Sequence, residues 1–134
     1  MADARPVTSL PSKQPALRAI PMPADANQSG DIFGGWIMAQ VDLAGAMPAM
    51  RLAAGRVATV AVNSFVFKQP VFVGDIVSLY ADVLRVGRTS ITVSVEVYAQ
   101  HRSDAATAAK VTEAVLTYVA VDENRRPRVV SAQQ

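Results

Sequence analysis

The chain has no cysteine and a single histidine. Without cysteine there is no disulfide framework, no thiol nucleophile and no zinc–thiolate centre. The one histidine, His101, follows a strand-like run and stands beside Arg102 and Ser103, the setting of a solvated loop residue. No Gly-x-Ser-x-Gly elbow is present, which leaves a Ser-His-Asp hydrolase without support. Charge is also scarce: 18% of residues are charged and the formal net charge is +2. So mild a balance gives no electrostatic footprint for nucleic acid, although it suits an anionic small molecule. With 51% hydrophobic residues the composition is that of a folded chain. Residues 1–15 carry Pro6, Pro11 and Pro15 and no apolar run. They do not read as a secretory signal, and a cytoplasmic protein is expected. No internal repeat or low-complexity segment is present.

What the sequence does have is one long apolar stretch, Asp31 to Ala53. Between Ile32 and Met50 only Gln40 and Asp42 are strongly polar. By the 3.6 period, Ile37, Val41, Ala44, Pro48 and Leu52 share one face, while Met38, Asp42, Gly45 and Ala49 share another. A helix apolar all round is expected to be buried. The stretch is too short and too polar to span a membrane, which takes about 20 predominantly apolar residues. Asp42 is then an acid inside a buried helix, where carboxylates are rare unless paired or given a task. The helix amides are expected to open near Phe33 to Trp36, with Asp31 as the cap. Pro48 removes one hydrogen bond and predicts a kink, and Gly55 is a suitable stop.

The remainder supplies strands. Ala16–Met22 is a short first strand, and Pro23–Gly30 is a cluster of turn formers. From Val57 the period becomes two. Val57–Lys68, Ile76–Val86, Thr89–Gln100 and Ala108–Val121 read as strands, with turns at Gln69–Asp75 and Gly87-Arg88. Short connections favour antiparallel neighbours. The prediction is an α+β domain over 16–121 in which a twisted antiparallel sheet wraps one long helix. Residues 1–15 form a mobile or extended arm, and 122–134 form a polar, loosely held tail.

Four segments carry a closer likeness. Asn27-Gln28-Ser29-Gly30-Asp31-Ile32-Phe33-Gly34-Gly35-Trp36 is followed by Asp42-Leu43-Ala44-Gly45. Phe65 to Val71 with Val73-Gly74-Asp75 comes next, then Gly87-Arg88-Thr89-Ser90. In this order and spacing they resemble YciA-type acyl-CoA thioesterases of the hotdog fold, over roughly Ala19 to Val121. The resemblance implies hydrolysis of acyl-CoA to free acid and CoA without a metal or other cofactor. It also implies homodimers that share active sites at the interface, commonly joined as trimers of dimers into hexamers, with no nucleic-acid or membrane partner. Asp42 matches the family's catalytic carboxylate.

Thioester hydrolysis needs an activated water and a polarised carbonyl. A carboxylate serves the first as general base, and backbone amides at a helix start serve the second. Asp42 is therefore the candidate base, with Gly34 and Gly35 as the carbonyl-binding amides and Asp31 as a further polar group of the site. The plain alternatives are an acid capping a neighbouring amide, glycines serving tight helix–sheet packing, and Asp31 as a helix cap. Candidate substrate-binding residues are Asn27, Phe33, Lys68, Arg88, Thr89 and Ser90, although Asn27 reads more as a turn former than as a ligand. Among the basic residues, Arg88 is the best placed for a CoA phosphate, ahead of Arg56, Lys68, Arg85, Arg102 and Lys110. A hotdog dehydratase would need a histidine near the helix start, and none is there. The rival function is a non-catalytic hotdog module that binds or senses acyl-CoA.

Overall fold

The period-two runs form strands and the apolar stretch forms a helix, close to their expected bounds. A computed structural model describes residues 4–102 and 104–130. In chain order the main elements are β1 (Leu17–Ala19), α1 (Gly34–Ala53), β2 (Val57–Phe67), β3 (Ile76–Val86), β4 (Ser90–Gln100) and β5 (Ala109–Ala120). The strands make one sheet in the order β1-β3-β4-β5-β2, antiparallel throughout. Its inner face packs Val77, Leu79, Ile91, Val93, Val95 and Leu116 against Ile37, Val41, Ala44 and Ala49 of α1. This is the α+β hotdog architecture, a curved antiparallel sheet around one long helix.

One strand lies elsewhere than its sequence neighbours suggest. β3–β4 and β4–β5 are hairpins, but β2 pairs with β5 at the far edge, from Val57↔Ala120 to Phe67↔Thr112. The short connection after β2 does not fold back on it. Its backbone bonds instead to the loop ahead of the helix: the Val71 carbonyl accepts the Ile32 amide at 2.8 Å, and Asp31 bridges Phe72. β2, of 11 residues, finds its partner in the 12-residue β5. β1 is also shorter than expected, three residues; Ile20–Met22 leads from it to the turn at Pro23–Asp25.

The helix runs through Pro48 to Ala53, as far as the stop expected at Gly55 allows. It departs from expectation in its burial. It is covered on one face only: Val41, Ala44 and Ala49 are fully buried, whereas Met38, Leu43 and Met50 are 42%, 52% and 38% exposed. A single sheet layer has one inner face, so the second apolar face of α1 is left for another surface. The stop comes one residue before Gly55, at Ala54, whose φ of 54° is left-handed. The Gly55 amide then donates to the Met50 carbonyl at 3.2 Å, closing a Schellman-type end. What Gly55 provides is room, since a Cβ there would lie 2.9 Å from Nη2 of Arg128. That guanidinium donates to the Ala53 carbonyl at 2.8 Å and to the Val121 carbonyl at 3.1 Å. The tail is expected to be loosely held; residues 131–134 lie outside the described residues, and 122–130 are held by Arg128 and by Val130, which is buried and bonds its amide to the Arg88 carbonyl. Residues 1–3 of the arm lie outside the described residues; over 4–15 it is anchored. Arg5 is buried, bonds the Asp75 carboxylate at 2.7 Å and the Pro70 carbonyl at 3.0 Å, and stacks on Phe72.

Candidate active site

Asp42 leaves the middle of α1 toward β2 and β5. Thr59 and Tyr118 are register partners on those strands, so both hydroxyls come under the same side chain. Thr59 Oγ1 donates to Asp42 Oδ1 at 2.6 Å. Tyr118 Oη donates to the Asp42 main-chain carbonyl at 2.8 Å and reaches Oδ1 at 3.2 Å. Asp42 is half-buried, and its second carboxylate oxygen meets no donor among the described residues. Burial of the Tyr118 ring, reinforced by the adjacent Asp42 charge and hydrogen bond, pushes the phenol well above its usual range. It therefore stays a proton donor at neutral pH. The result is a carboxylate with one oxygen held and one open, the form a general base needs.

A second group forms at the helix start. Phe33 precedes the first turn with φ −58° and ψ 137°, and no side chain caps the helix. Asp31 is therefore not the cap. Its backbone is engaged with Asn27 and Phe72 two residues upstream, too far back to reach the first amides. The Gly34 and Gly35 amides meet no acceptor among the described residues. A Cβ on Gly35 would touch nothing within 4 Å, whereas one on Gly34 would lie 3.2 Å from Cζ of Phe67. Gly34 thus serves close packing as well, and Gly35 leaves open space above the amides. Beside them is a cleft of about 380 Å³ walled by Asn27, Asp31, Gly34, Phe67 and Lys68. Asn27 is a turn former here: its Oδ1 accepts the Ser29 amide at 2.8 Å and the Asp31 amide at 3.2 Å. Lys68 stands at the cleft with Glu113 3.7 Å away. Phe33 is 53% exposed.

Arg88, Thr89 and Ser90 belong to neither wall of the cleft. They form the β3–β4 turn, and Ile91, just after it, is the register partner of Tyr118. They stand toward the Tyr118 end of β5, whereas Phe67 and the cleft stand toward Thr112. Lys110, weighed as a phosphate ligand, is already committed: Glu113 lies at 2.6 Å and Glu96 at 2.9 Å. Burial of its ammonium opposes the charge, but the two carboxylates outweigh it and raise the amine above its ordinary range. One chain thus gathers Asn27, Asp31, Gly34 and Lys68 at one place and Asp42 with Thr59 and Tyr118 at another. Thr59 and Tyr118 were not among the sequence candidates.

Comparisons with known proteins point to one family and to this fold. Residues 29–106 match the model of the thioesterase superfamily. The chain is similar to the acyl-CoA thioester hydrolase YciA of Escherichia coli K12, with 42% identity over 127 residues, 93% of this chain and 96% of that one. It also resembles the hexameric thioesterase y2039 of Yersinia pestis, at 46% identity and a TM-score of 0.86, covering 92% of this chain and 100% of that chain. A third likeness is to HI0827, a hexameric broad specificity acyl-coenzyme A thioesterase, at 45% identity and a TM-score of 0.83, covering 93% of this chain and 86% of the other.

Proposed function

The chain belongs to the thioesterase superfamily, and from that premise we propose that Asp42 activates the water with which it cleaves acyl-CoA. The protein is an acyl-CoA thioester hydrolase, releasing a free carboxylic acid and CoA. In this reading the open oxygen of Asp42 takes a proton from water as the water oxygen attacks the thioester carbonyl. The carbonyl becomes an oxyanion held by the Gly34 and Gly35 amides, with the helix dipole adding to them. The carbonyl re-forms as the C–S bond breaks, and the thiolate takes up the proton held on Asp42 as CoA leaves, which restores the carboxylate. Asp31 lends a polar wall to the cleft, and Asn27, Phe33, Lys68, Arg88, Thr89 and Ser90 contact the substrate. Nothing in this sequence of steps calls for a metal or a cofactor. The observation that carries the proposal is the Asp42 carboxylate, tied at Oδ1 and open at the other oxygen.

The two groups cannot meet within one chain. Gly34 and Asp42 lie on one unbroken helix, and eight residues at 1.5 Å each separate them by about 12 Å. Reacting atoms must come within roughly 3–3.5 Å. One subunit therefore supplies the amides and its partner supplies Asp42, in a homodimer with two equivalent sites. Two features support such a dimer. β2 is a long edge strand with Val60 57% exposed and Val62, Val66 and Phe67 each 49% exposed, and unpaired apolar edges invite pairing. The uncovered face of α1, with Met38, Leu43 and Met50, supplies a second apolar surface. With hexameric relatives, a trimer of dimers is the assembly we assign. No helix among the described residues is long and apolar enough to cross a membrane, and we assign the enzyme to the cytoplasm.

Release of free thiol from acetyl-CoA and from longer acyl-CoAs tests the activity. Turnover well above the uncatalysed rate on at least part of the series is expected. Tight binding of the whole series with no thiol release would instead mark a sensing module. Arg88 gives a sharper test of substrate contact. If it grips a CoA phosphate, Arg88→Ala raises KM for acyl-CoA while turnover of short pantetheine thioesters stays near wild type, the pattern of lost uniform binding. Equal losses on both substrates would count against a phosphate contact.

A further inference from the structure

A buried tyrosine hydroxyl needs a partner, and Tyr118 has its partner in Asp42. The ring is fully buried on β5. Its hydroxyl stands 2.8 Å from the Asp42 carbonyl and 3.2 Å from Oδ1, bonding backbone and side chain of one residue. Space for that hydroxyl is made by the helix. A Cβ on Gly45 would run into the Tyr118 oxygen and come within 3.2 Å of Cε1 and Cζ. Gly45 lies three positions after Asp42, on the same side of the helix, so the absent side chain forms a notch that the phenol fills. Thr59 approaches the same carboxylate oxygen from β2 at 2.6 Å.

We propose that Tyr118, seated in the Gly45 notch, is a positioning residue for the hydrolysis: together with Thr59 it fixes Oδ1 and leaves the other oxygen of Asp42 as the one that receives the proton from water. The proposal rests on the reading of Asp42 as the base. The one phenolic proton is shared between the Asp42 carbonyl and Oδ1, so rotation of the side chain about the bond to Cβ would give up the part-buried contact to Oδ1. An aspartate free to rotate would present its two oxygens in turn and would hold water in the attacking geometry for less of the time, which lowers kcat and leaves KM alone.

Tyr118→Phe keeps the ring and removes only the hydroxyl. It is expected to lower kcat roughly 10-fold, the scale of one hydrogen bond to a charged group, with KM within about twofold and the oligomer intact. Added to Asp42→Asn, it is expected to cost nothing further, because its effect passes through that carboxylate. Gly45→Ala crowds the hydroxyl without removing it, is expected to give the same loss confined to kcat, and decides the matter if Tyr118→Phe does not fold. Wild-type kcat in either folded variant would overturn the proposal. So would a tenfold loss that persists undiminished on the Asp42→Asn background. Failure of the underlying reading looks different, since Asp42→Asn would then retain full activity whatever Tyr118 does.

Discussion

Asp42→Asn is expected to lower kcat by on the order of 10²–10⁴, the usual scale for loss of a general base, while leaving fold, assembly and KM close to wild type. Asparagine is nearly the same shape. Its side-chain oxygen can still accept from Thr59 and Tyr118, which hold Oδ1 at 2.6 and 3.2 Å. The amide nitrogen is then turned to the open position, where it is a donor only. A water there would meet a group that cannot take its proton. Because the two hydroxyls bias the amide into one orientation, the variant does not recover function by flipping. Steady-state kinetics on one acyl-CoA, with thermal unfolding and light scattering as controls, measure the effect. A folded Asp42→Asn enzyme with kcat within tenfold of wild type would remove Asp42 from the chemistry.

Asp42 was legible in the sequence because it is chemically out of place, one acid in a run where only Gln40 is otherwise polar. Its partners were not, since Thr59 and Tyr118 lie 17 and 76 positions away from it and meet only when β2 pairs with β5. That pairing was itself obscured. A connection as short as Lys68 to Asp75 suggests a hairpin, and local rules do not show that its backbone bonds are taken by the loop before α1. One signal for Tyr118 was available: in β5 it falls in phase with Leu116 and Ala120, both buried against the helix. A tyrosine on a core-facing position needs a hydroxyl partner, and Asp42 was the acid on offer. The four long strands were readable to within about one residue, inside the normal uncertainty of element ends, and only β1 ended well short of its expected bound. The apolar second face of α1 was readable as apolar but not as uncovered, because a sequence reports which residues avoid water and not which molecule hides them.

That uncovered face leads to the shared site, which predicts complementation between two dead enzymes. Asp42→Asn removes the base. Gly35→Val fills the space above the helix-start amides. A Cβ at Gly35 would touch nothing within 4 Å, so the valine obstructs a ligand without clashing with its own chain. Each homo-oligomer is expected to be nearly inactive, for a different reason. In a mixed dimer one site combines Gly35 of the first subunit with Asp42 of the second and is intact, while the other carries both lesions. Such a dimer regains up to about half of wild-type activity, since a twofold dimer has two equivalent sites. Statistical one-to-one mixing makes half the dimers mixed, so about a quarter returns overall. Co-expression of the two variants with different affinity tags isolates hexamers that hold both, in which random pairing makes about half of the dimers mixed, and thiol release reads the recovery. Activity confined to the doubly tagged fraction is the expected result. A doubly tagged fraction as inactive as its parents would refute a site divided between subunits, given that Gly35→Val subunits alone unfold at the wild-type temperature. It would then place the water, the carbonyl and both groups of residues within one chain, which the roughly 12 Å from Gly34 to Asp42 along α1 does not allow, so one of the two assignments would have to be given up.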